Sequence, residues 1–306
     1  MPQVFASIGE CMVELSSAGE RLYRQGFAGD TFNTAWYVRA LLPADGWTVR
    51  YVTALGDDRL SDDLAAFIAD AGIDTSALQR KAGRPVGLYA IHLDGHERSF
   101  SYWRETAAAR LLAEDPAALA AALADVACAY VSGITLAIVS PAHRRTLLDA
   151  LAAVRDRGGM VAFDPNIRLR LWPDADTARA ALIEGYRVST VAMPTYPDDR
   201  DLFGDADITA CVRRIAGYGP REIVAKDGAE PTLVHADGTD TLVPAVKVDA
   251  PVDTTGAGDS FNAGYLAARL AGRDPVAAAR LGHQVASRVI GVKGALAPME
   301  GFAGLV

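Results

Sequence analysis

The chain has 306 residues, 50% of them hydrophobic, so it can bury one large α/β domain or two smaller ones. Its formal net charge is −8, and its lysines and arginines form no long cluster. This charge pattern argues against nucleic acids and anionic membranes as partners, because both require basic patches on the protein.

The N-terminus carries a short apolar run at residues 4–9. No basic region precedes a long apolar stretch there, and no apolar run reaches the roughly 18 residues that indicate a membrane-spanning helix. We therefore expect a cytoplasmic protein without a membrane partner. Its three cysteines are too few and too scattered for a disulfide framework or a zinc site, so we expect buried, reduced thiols at Cys11, Cys128 and Cys211.

The first third of the chain contains the pattern of an antiparallel hairpin. Residues 86–93 and 98–103 alternate in the manner of β-strands, and Asp94-Gly95-His96-Glu97 lies between them as a turn that contains glycine. A hairpin in this position suits a lid over a binding site.

From residue 129 onward, short apolar runs alternate with amphipathic stretches, which is typical of parallel strands joined by crossover helices. The sequence predicts strands over residues 129–132, 160–163, 190–193 and 222–225, and helices over residues 141–157, 178–186 and 208–216. The breaks Asp164-Pro165-Asn166 and Met193-Pro194-Thr195 follow strand ends. In open α/β sheets, ligands bind at that edge.

The most informative segment is 253–264, Asp-Thr-Thr-Gly-Ala-Gly-Asp-Ser-Phe-Asn-Ala-Gly. Apolar residues spaced for one helix face predict that a helix begins within it. At the start of that helix, the N–H groups of Gly256, Ala257 and Gly258 are expected to turn toward one anion, aided by the helix dipole. Asp259 is then expected to lie within reach of the attacking group, where a carboxylate can act as a general base. The alternative role for Asp259 is that of an ordinary helix cap.

This segment resembles the C-terminal signature Asp-Thr-x-Gly-Ala-Gly-Asp-Ser-Phe of the ribokinase-like (PfkB-type) carbohydrate kinases. A second segment, Gly29-Asp30-Thr-Phe-Asn33-Thr-Ala35, is similar to the family's Gly-Asp-x-x-Asn motif, which meets sugar hydroxyls. The resemblance runs from about residue 5 to about residue 295, and phosphoryl transfer requires the alignment and charge neutralisation that such a segment offers.

The resemblance implies one kinase domain over residues 1–306. Its expected fold is an α/β, ribokinase-like three-layer sandwich with a mostly parallel central sheet and a small β-sheet lid. The lid is expected from about residues 12–28 and 84–104, with strands near residues 13–16 and 22–27 joining the hairpin. Since such a lid often pairs with another subunit, we expect a homo-oligomer.

Two other glycine-rich phosphate sites are excluded by context. A dinucleotide-binding fingerprint requires a third glycine where Phe261 stands, an early position in the chain, and an acid about 20 residues further on. A Walker loop requires a Gly-Lys-Ser/Thr triplet, which this sequence lacks.

The resemblance also implies ATP and Mg²⁺. Many relatives carry Asn-x-x-Glu where this chain has Thr195 and Asp198, and a shorter carboxylate still holds magnesium through water. An ordinary acidic loop is the alternative for this segment. Lys226 is expected to contact the ATP phosphates, and the alternative is a solvated side chain. Gly256 and Gly258 of the glycine turn are also expected to bind the nucleotide. The adenine is expected between the turn 226–231, which contains Gly228, and the helix near Gln284. Loops near residue 253 and over 291–295 are K⁺ candidates without a specific signal.

Substrate choice is expected from two tyrosines and two arginines, together with Gly29, Asp30, Asn33 and Asp259 of the two motifs. Arginine grips a carboxylate with two parallel hydrogen bonds, which indicates an anionic sugar. We place Tyr102 and Arg104 on one face of a strand, with Tyr89 on the partner strand. The two tyrosines and two arginines expected to select the substrate are Tyr89, Tyr102, Arg104 and Arg168.

Several segments are similar to 2-keto-3-deoxygluconate kinases within the family, namely Gly9-Glu10-Cys-Met-Val-Glu14-Leu15, Ser101-Tyr102-Trp103-Arg104, Asp164-Pro165-Asn166-Ile-Arg168 and Met193-Pro194-Thr195. The expected activity is ATP-dependent phosphorylation of the terminal hydroxyl of 2-dehydro-3-deoxy-D-gluconate. The alternatives are a fructokinase or another neutral-sugar kinase, and a non-catalytic sugar-binding regulator.

Overall fold

Two β-sheets organise the chain in the computed structural model, which describes residues 2–19, 22–94 and 97–306. In chain order, the strands are β1 (Gln3–Ile8), β2 (Met12–Gly19), β3 (Leu22–Ala28), β4 (Trp47–Leu55), β5 (Leu78–Arg80), β6 (Leu88–Asp94), β7 (Glu97–Trp103), β8 (Val126–Ser132), β9 (Met160–Asp164), β10 (Val191–Ala192), β11 (Glu222–Asp227), β12 (Glu230–Ala236) and β13 (Thr239–Val243). The helices are α1 (Asp30–Leu41), α2 (Arg59–Asp70), α3 (Pro116–Ala122), α4 (Gly133–Ile138), α5 (Pro141–Asp156), α6 (Ala175–Val188), α7 (Tyr196–Phe203), α8 (Ile208–Ala216), α9 (Ala257–Leu270) and α10 (Pro275–Val289).

The larger sheet has the strand order β13-β12-β11-β10-β9-β8-β1-β4-β5. Every pair from β11 to β5 is parallel, and β12 and β13 add an antiparallel edge. The parallel strands therefore share one carboxyl edge, where the segments that follow β8, β9, β10 and β11 meet.

Helices cover both faces of this sheet. Side chains of β1 alternate, so that Phe5 packs in one core with residues of α1, α2, α9 and α10, while Val4 and Ala6 pack in a second core with residues of α3 to α8. The predicted three-layer arrangement with a mostly parallel sheet is confirmed.

Most helices begin where the sequence supplies a cap. In seven of them a side-chain oxygen of the capping residue accepts a first-turn N–H, and these residues are Asp58, Asp115, Ser132, Ser140, Asp174, Asp207 and Asp274. Helices α1, α7 and α9 lack a side-chain cap. Helix α9 is preceded by Gly256 in the left-handed conformation. Its first turn is thus left for another acceptor.

The smaller sheet has the order β3-β2-β6-β7. β2 pairs antiparallel with β3 and parallel with β6, and β6 and β7 form the predicted hairpin. Gly95 and His96 of the predicted turn lie outside the described residues. We call this sheet the lid, because its residues Met12, Tyr89, Phe100 and Tyr102 line the cavity described below.

The predicted crossover elements are all present, with bounds that differ by a few residues. Both bounds of the helix Ile208–Ala216 were predicted correctly, whereas the strand predicted over residues 190–193 contains only Val191–Ala192. The three cysteines are buried and reduced, as expected. Among the helices of the described residues, none combines the length and apolar character needed to cross a membrane.

Candidate active site

A cavity of about 390 Å³ lies between the lid and the carboxyl edge of the larger sheet. It collects residues from both sequence motifs, from the ends of β8, β9, β10 and β11, and from the lid. Thirteen of the predicted site residues line it: Gly29, Asp30, Asn33, Tyr89, Tyr102, Arg168, Thr195, Asp198, Lys226, Gly256, Ala257, Gly258 and Asp259. The two motifs, more than 200 positions apart in sequence, thus meet at one site.

The glycine turn at the start of α9 forms part of the cavity wall. Gly256 has φ of 77°, in the left-handed region that disfavours other residues, and a Cβ there would lie 2.9 Å from the Ala295 carbonyl oxygen. The N–H of Ala257 donates to the Thr254 carbonyl at 3.2 Å, so the turn itself uses that donor. The N–H groups of Gly256 and Gly258 have no backbone acceptor among the described residues. These two are therefore the donors that remain for an anion.

Gly258 leaves open space above the turn. A Cβ built at this position finds only one neighbouring heavy atom within 4 Å, Nζ of Lys226 at 3.9 Å. A side chain here would therefore enter the cavity rather than collide with the protein. We call the turn of Gly256, Ala257 and Gly258 the anion cradle.

Asp259 follows the anion cradle and is half-buried at the cavity floor. Its Oδ2 accepts a hydrogen bond of 2.7 Å from Nδ2 of Asn33, and its carbonyl accepts one from the Thr34 hydroxyl. Burial raises the pKa of Asp259 to about 7, and the charge of Asp30 adds to the rise, whereas the Asn33 hydrogen bond lowers it. A carboxyl with this pKa is suited to accept a proton near neutral pH.

The N-terminal motif is built around the start of α1. A Cβ on Gly29 would lie 2.2 Å from the Glu10 carbonyl oxygen, so only glycine fits there. Asn33 donates its N–H to the Gly29 carbonyl at 2.7 Å, which places its side chain toward Asp259. Oδ2 of Asp30 accepts a hydrogen bond of 3.0 Å from Nδ2 of Asn166, and burial raises the pKa of Asp30.

On the lid side, Tyr89 and Tyr102 face each other across the β6–β7 pair with ring centroids 5.9 Å apart. The Tyr89 hydroxyl donates to Glu14. Arg170 donates to the Tyr102 hydroxyl at 2.7 Å, and its guanidinium lies 4.7 Å from the ring centroid. This contact joins the segment after β9 to the lid.

The two predicted substrate arginines occupy different environments. Arg168 lines the cavity, and its Nη1 lies 3.4 Å from Oδ2 of Asp198. Arg104 follows the end of β7 and forms a buried ion pair with Glu10, which follows β1. Arg104 is not among the lining residues of the described cavity.

The Glu10–Arg104 pair ties the lid to the larger sheet. Burial raises the pKa of Glu10, while the Arg104 charge opposes that rise. Oε1 of Glu10 and Nε of Arg104 are buried without a hydrogen-bond partner among the described residues. The pair joins the segment between β1 and β2 to the end of β7.

Comparisons with known proteins agree with this geometry. The profile of the pfkB family of carbohydrate kinases matches residues 4–301. The chain belongs to this family. It is 44% identical over 301 residues to the 2-dehydro-3-deoxygluconokinase of Dickeya dadantii, covering 96% of this chain and 97% of that protein. It is 42% identical over 306 residues to the 2-dehydro-3-deoxygluconokinase of Escherichia coli K12, covering 98% of this chain and 99% of that protein.

A solved structure shares the fold. The fructokinase with bound ATP from Xylella fastidiosa superposes with a TM-score of 0.82 at 24% identity, covering 96% of this chain and 94% of that chain. The pfkB fold of this chain is therefore supported by sequence and by structure.

Four of the residues that were predicted to bind the nucleotide line the cavity, namely Thr195, Lys226, Gly256 and Gly258. Thr195 and Lys226 form an isolated parallel β-bridge, in which the backbone N–H of Lys226 donates to the Pro194 carbonyl at 2.9 Å. Burial raises the pKa of Asp198, and the Arg168 charge opposes the rise. Gly228 and Gln284 are exposed and are not among the lining residues. Their predicted nucleotide contacts remain predictions.

Nine lining residues were not predicted individually as site residues from the sequence, namely Met12, Ala28, Phe100, Ile134, Asp164, Asn166, Thr254, Thr255 and Ala295. Asp164 and Asn166 carried a usable signal, because they form a Pro-containing break directly after a predicted strand. Asn166 also has a positive φ of 32°, which the sequence does not reveal. The apolar lid residues carried no comparable signal, since apolar side chains in a hairpin usually indicate packing alone.

Proposed function

We propose that this pfkB kinase transfers the γ-phosphoryl group of ATP to the terminal hydroxyl of 2-dehydro-3-deoxy-D-gluconate, giving the 6-phosphate and ADP. The observation that carries the proposal is that Asp259, the anion cradle and Arg168 line one cavity. The relatives at 42–44% identity that are named for this substrate support the choice of sugar.

In the proposed step, the Asp259 carboxylate accepts the proton of the sugar's terminal hydroxyl. That oxygen forms a bond to the γ-phosphorus as the bond to the β,γ-bridging oxygen breaks, and the bond electrons leave with ADP. The N–H groups of Gly256 and Gly258 hold the transferring phosphoryl oxygens, because preformed donors at the site of developing charge are worth about 10²–10³ in rate each.

The cavity suits a nucleotide phosphate because the Gly258 position is open and the N–H groups of Gly256 and Gly258 have no backbone acceptor among the described residues. Thr195 and Lys226 line the same cavity. For Mg²⁺, Asp198 is the candidate ligand through water, and Mg²⁺ ordinarily takes one or two carboxylates together with substrate phosphates. When bound, Mg²⁺ supplies charge neutralisation on those phosphates.

K⁺ activation is a further proposal for the loops around Asp253 and residues 291–295. The two loops are adjacent, since the N–H of Gly294 donates to Oδ2 of Asp253 at 2.9 Å. Carbonyl oxygens of such loops are suitable ligands for a monovalent cation.

The sugar side favours an anionic substrate. Arg168 has 41% of its side chain exposed, and its Nη1 donates to the Ile167 carbonyl at 2.8 Å and to Asp198 at 3.4 Å, so the other guanidinium nitrogens are accessible to a substrate carboxylate. Tyr89 and Tyr102 supply stacked rings on the opposite wall. We assign Gly29, Asp30 and Asn33 to the sugar hydroxyls, near the base. We propose Arg104 as a substrate contact in a state in which its ion pair with Glu10 is broken.

The test is a turnover assay with Mg²⁺·ATP and three acceptors in parallel: 2-dehydro-3-deoxy-D-gluconate, fructose and ribose. We expect kcat/KM for the sugar acid to exceed that for both neutral sugars by at least about tenfold, the cost of one lost charged hydrogen bond. A preference for fructose would instead favour a neutral-sugar kinase. Measurable sugar binding without turnover of any acceptor would favour a sugar-binding regulator.

We also propose that the lid mediates a homo-oligomer. Leu22 and Trp103 are 64% and 60% exposed on its strands, and Tyr23 is exposed beside Leu22. Such apolar side chains on a small sheet favour pairing with a second copy. Light scattering of the wild type and of Trp103→Glu tests this: we expect an oligomer that dissociates in the variant. A monomeric wild type would contradict the proposal.

A further inference from the structure

A buried lysine lies beside the anion cradle. Lys226 is only 7% exposed, and its Nζ contacts Oδ2 of Asp164 at 3.1 Å and Oδ1 of Asn262 at 2.9 Å. An ammonium group so placed is costly unless it is paired and hydrogen-bonded. Here a carboxylate supplies the charge partner and an amide supplies a second acceptor.

Asn262 is fixed in one orientation by its own neighbours. It is fully buried, and its Nδ2 donates to Oδ2 of Asp164 at 2.6 Å and to the Tyr130 hydroxyl at 3.1 Å. A flipped amide would turn its NH₂ group toward the ammonium of Lys226 and its oxygen toward a carboxylate. The network therefore holds the amide oxygen on Lys226.

The lysine keeps one donor for the cavity. An ammonium group has three N–H donors, and the hydrogen bonds of the described residues use two of them. Nζ lies 3.9 Å from the position of a Cβ on Gly258, and Lys226 lines the cavity. An anion seated on the cradle thus lies next to the remaining N–H.

Helix α9 couples this arrangement to the base. Asp259 and Asn262 are three residues apart on the same helix, so they lie on neighbouring positions of one face. Asp259 binds Asn33 on one side, and Asn262 binds the Asp164–Lys226 pair on the other. One rigid element therefore sets the distance between the base and the lysine.

We propose that Asp164 and Asn262 are positioning residues, which hold the Lys226 ammonium against the anion cradle so that its third N–H binds the transferring phosphoryl group. This inference rests on the proposed phosphoryl transfer. Asp164 balances the buried charge, and Asn262 fixes its location. A purely structural role for the same cluster would stabilise the fold without affecting phosphate binding.

Asp164→Asn and Lys226→Met, made in the full chain, separate the two roles. We expect both to raise KM for ATP at least about fivefold while KM for the sugar changes less than about twofold. Calorimetry with adenylyl imidodiphosphate and Mg²⁺ is expected to show the same loss of affinity without turnover. Unchanged nucleotide affinity in both variants would overturn the proposal. If Asp164→Asn does not accumulate as folded protein, Asn262→Ser provides the same test, because it removes the amide oxygen that accepts from Lys226.

The acidic limb of kcat/KM tests a second consequence of the geometry, the position of both charges near Asp259. Asp164 and Asp30 raise the pKa of Asp259, and Lys226 lowers it. We therefore expect Asp164→Asn to shift the limb to lower pH and Lys226→Met to shift it to higher pH. Both variants keep Asp30, so its effect on the pKa of Asp259 is the same in each. Shifts in one common direction would contradict the placement of the pair. A wild type that prefers another sugar would refute the substrate proposal alone, since the nucleotide measurements do not depend on it.

Discussion

The side-chain amide of Asn33 donates a 2.7 Å hydrogen bond to the carboxylate of Asp259, across 226 positions of sequence. This contact joins α1 to α9 and brings the N-terminal motif against the proposed base. Because Asn33 stabilises the charged form of a carboxyl whose pKa burial has raised, the two residues together set where the base titrates. The catalytic predictions depend on this pair.

Replacement of Asp259 by Asn tests the base directly. The substitution keeps the shape of the side chain and removes its capacity to accept the substrate proton, so we expect kcat to fall by about 10²–10⁴. Sugar and nucleotide affinities, measured by calorimetry, are expected to stay within a few-fold of the wild type. Asp63→Asn, on the exposed face of α2, is the matched control and should retain full activity. Turnover of the Asp259 variant near the wild-type value would refute the role.

The pH dependence of kcat/KM follows from the same carboxyl. Only the ionised form accepts a proton, and the pKa of Asp259 is about 7, so the rate should rise tenfold per pH unit below that value and level off above it. Asp30 and Asp164 raise this pKa, and Lys226 and the Asn33 amide lower it.

Asn33→Ala removes the amide that favours the charged form. We therefore expect its acidic limb to lie at higher pH than that of the wild type. Steady-state rates from pH 5 to 9 in buffers of constant ionic strength give the comparison. A wild-type rate that stays nearly level from pH 5 to 9 would show that Asp259 titrates as an ordinary exposed carboxyl.

Much of the fold followed from local sequence. Helix α8 was predicted with both bounds because Asp207 caps its start and an amphipathic pattern runs to its end. The strand at residues 190–193 was predicted too long, although Thr190 and Met193 still donate to β9 at 2.8 and 2.9 Å. Periodic patterns and caps are local, which is why these elements could be found from sequence.

The remainder of the site depended on long-range contacts. Arg104 was placed on a strand face by period-two alternation, but β7 ends at Trp103 and the chain turns there. Its partner Glu10 is 94 positions away. Similarly, Lys226 finds Asp164 and Asn262 at separations of 62 and 36 residues. No local pattern indicates such partners.

The two glycines of the anion cradle are expected to fail in different ways. Gly258→Ala places a methyl group in open cavity space at a helical position, so the protein should remain folded while KM for ATP rises at least about fivefold. Gly256→Ala instead requires a left-handed conformation, which costs about 1–2 kcal/mol, and a contact with the Ala295 carbonyl.

Thermal unfolding and ATP kinetics together separate the two effects. We expect a lower Tm for Gly256→Ala only. Gly301→Ala, with open space around its Cβ position and away from the cavity, is the control. A Gly258→Ala enzyme with wild-type ATP kinetics would exclude a phosphate from the space above this residue.

Arg168 is expected to select the anionic sugar. Arg168→Gln removes the charge that would pair with the substrate carboxylate, and a charged hydrogen bond of about 1.5–3 kcal/mol corresponds to a loss of about 10–150-fold in kcat/KM for the sugar acid. KM for ATP should change little. Arg145→Gln, on an exposed face of α5, is the control. If KM for ATP rose while that for the sugar did not, Arg168 would belong to the nucleotide side, through its contact with Asp198.

The raised pKa of Asp259 also predicts a stability cost for the base. The folded state holds this proton up to about pH 7, whereas the unfolded chain releases it near the ordinary value of 3.8. The folded state therefore binds more protons between these values, and the wild type loses stability as the pH rises from about 4 to about 7. Asp259→Asn lacks this titration, while its new carbonyl oxygen still accepts from Asn33.

We thus expect the ligand-free Asp259→Asn protein to melt at least about 2 °C above the wild type at pH 8, with a smaller difference at pH 5. Calorimetric unfolding scans at both pH values measure this, and Asp63→Asn should show no such dependence on pH. A wild type as stable as the variant at pH 8 would mean that the carboxylate carries no desolvation penalty, and the pH profile of activity would then also lack a limb near 7. Activity and stability therefore test one physical cause, the burial of a charge that the chemistry requires.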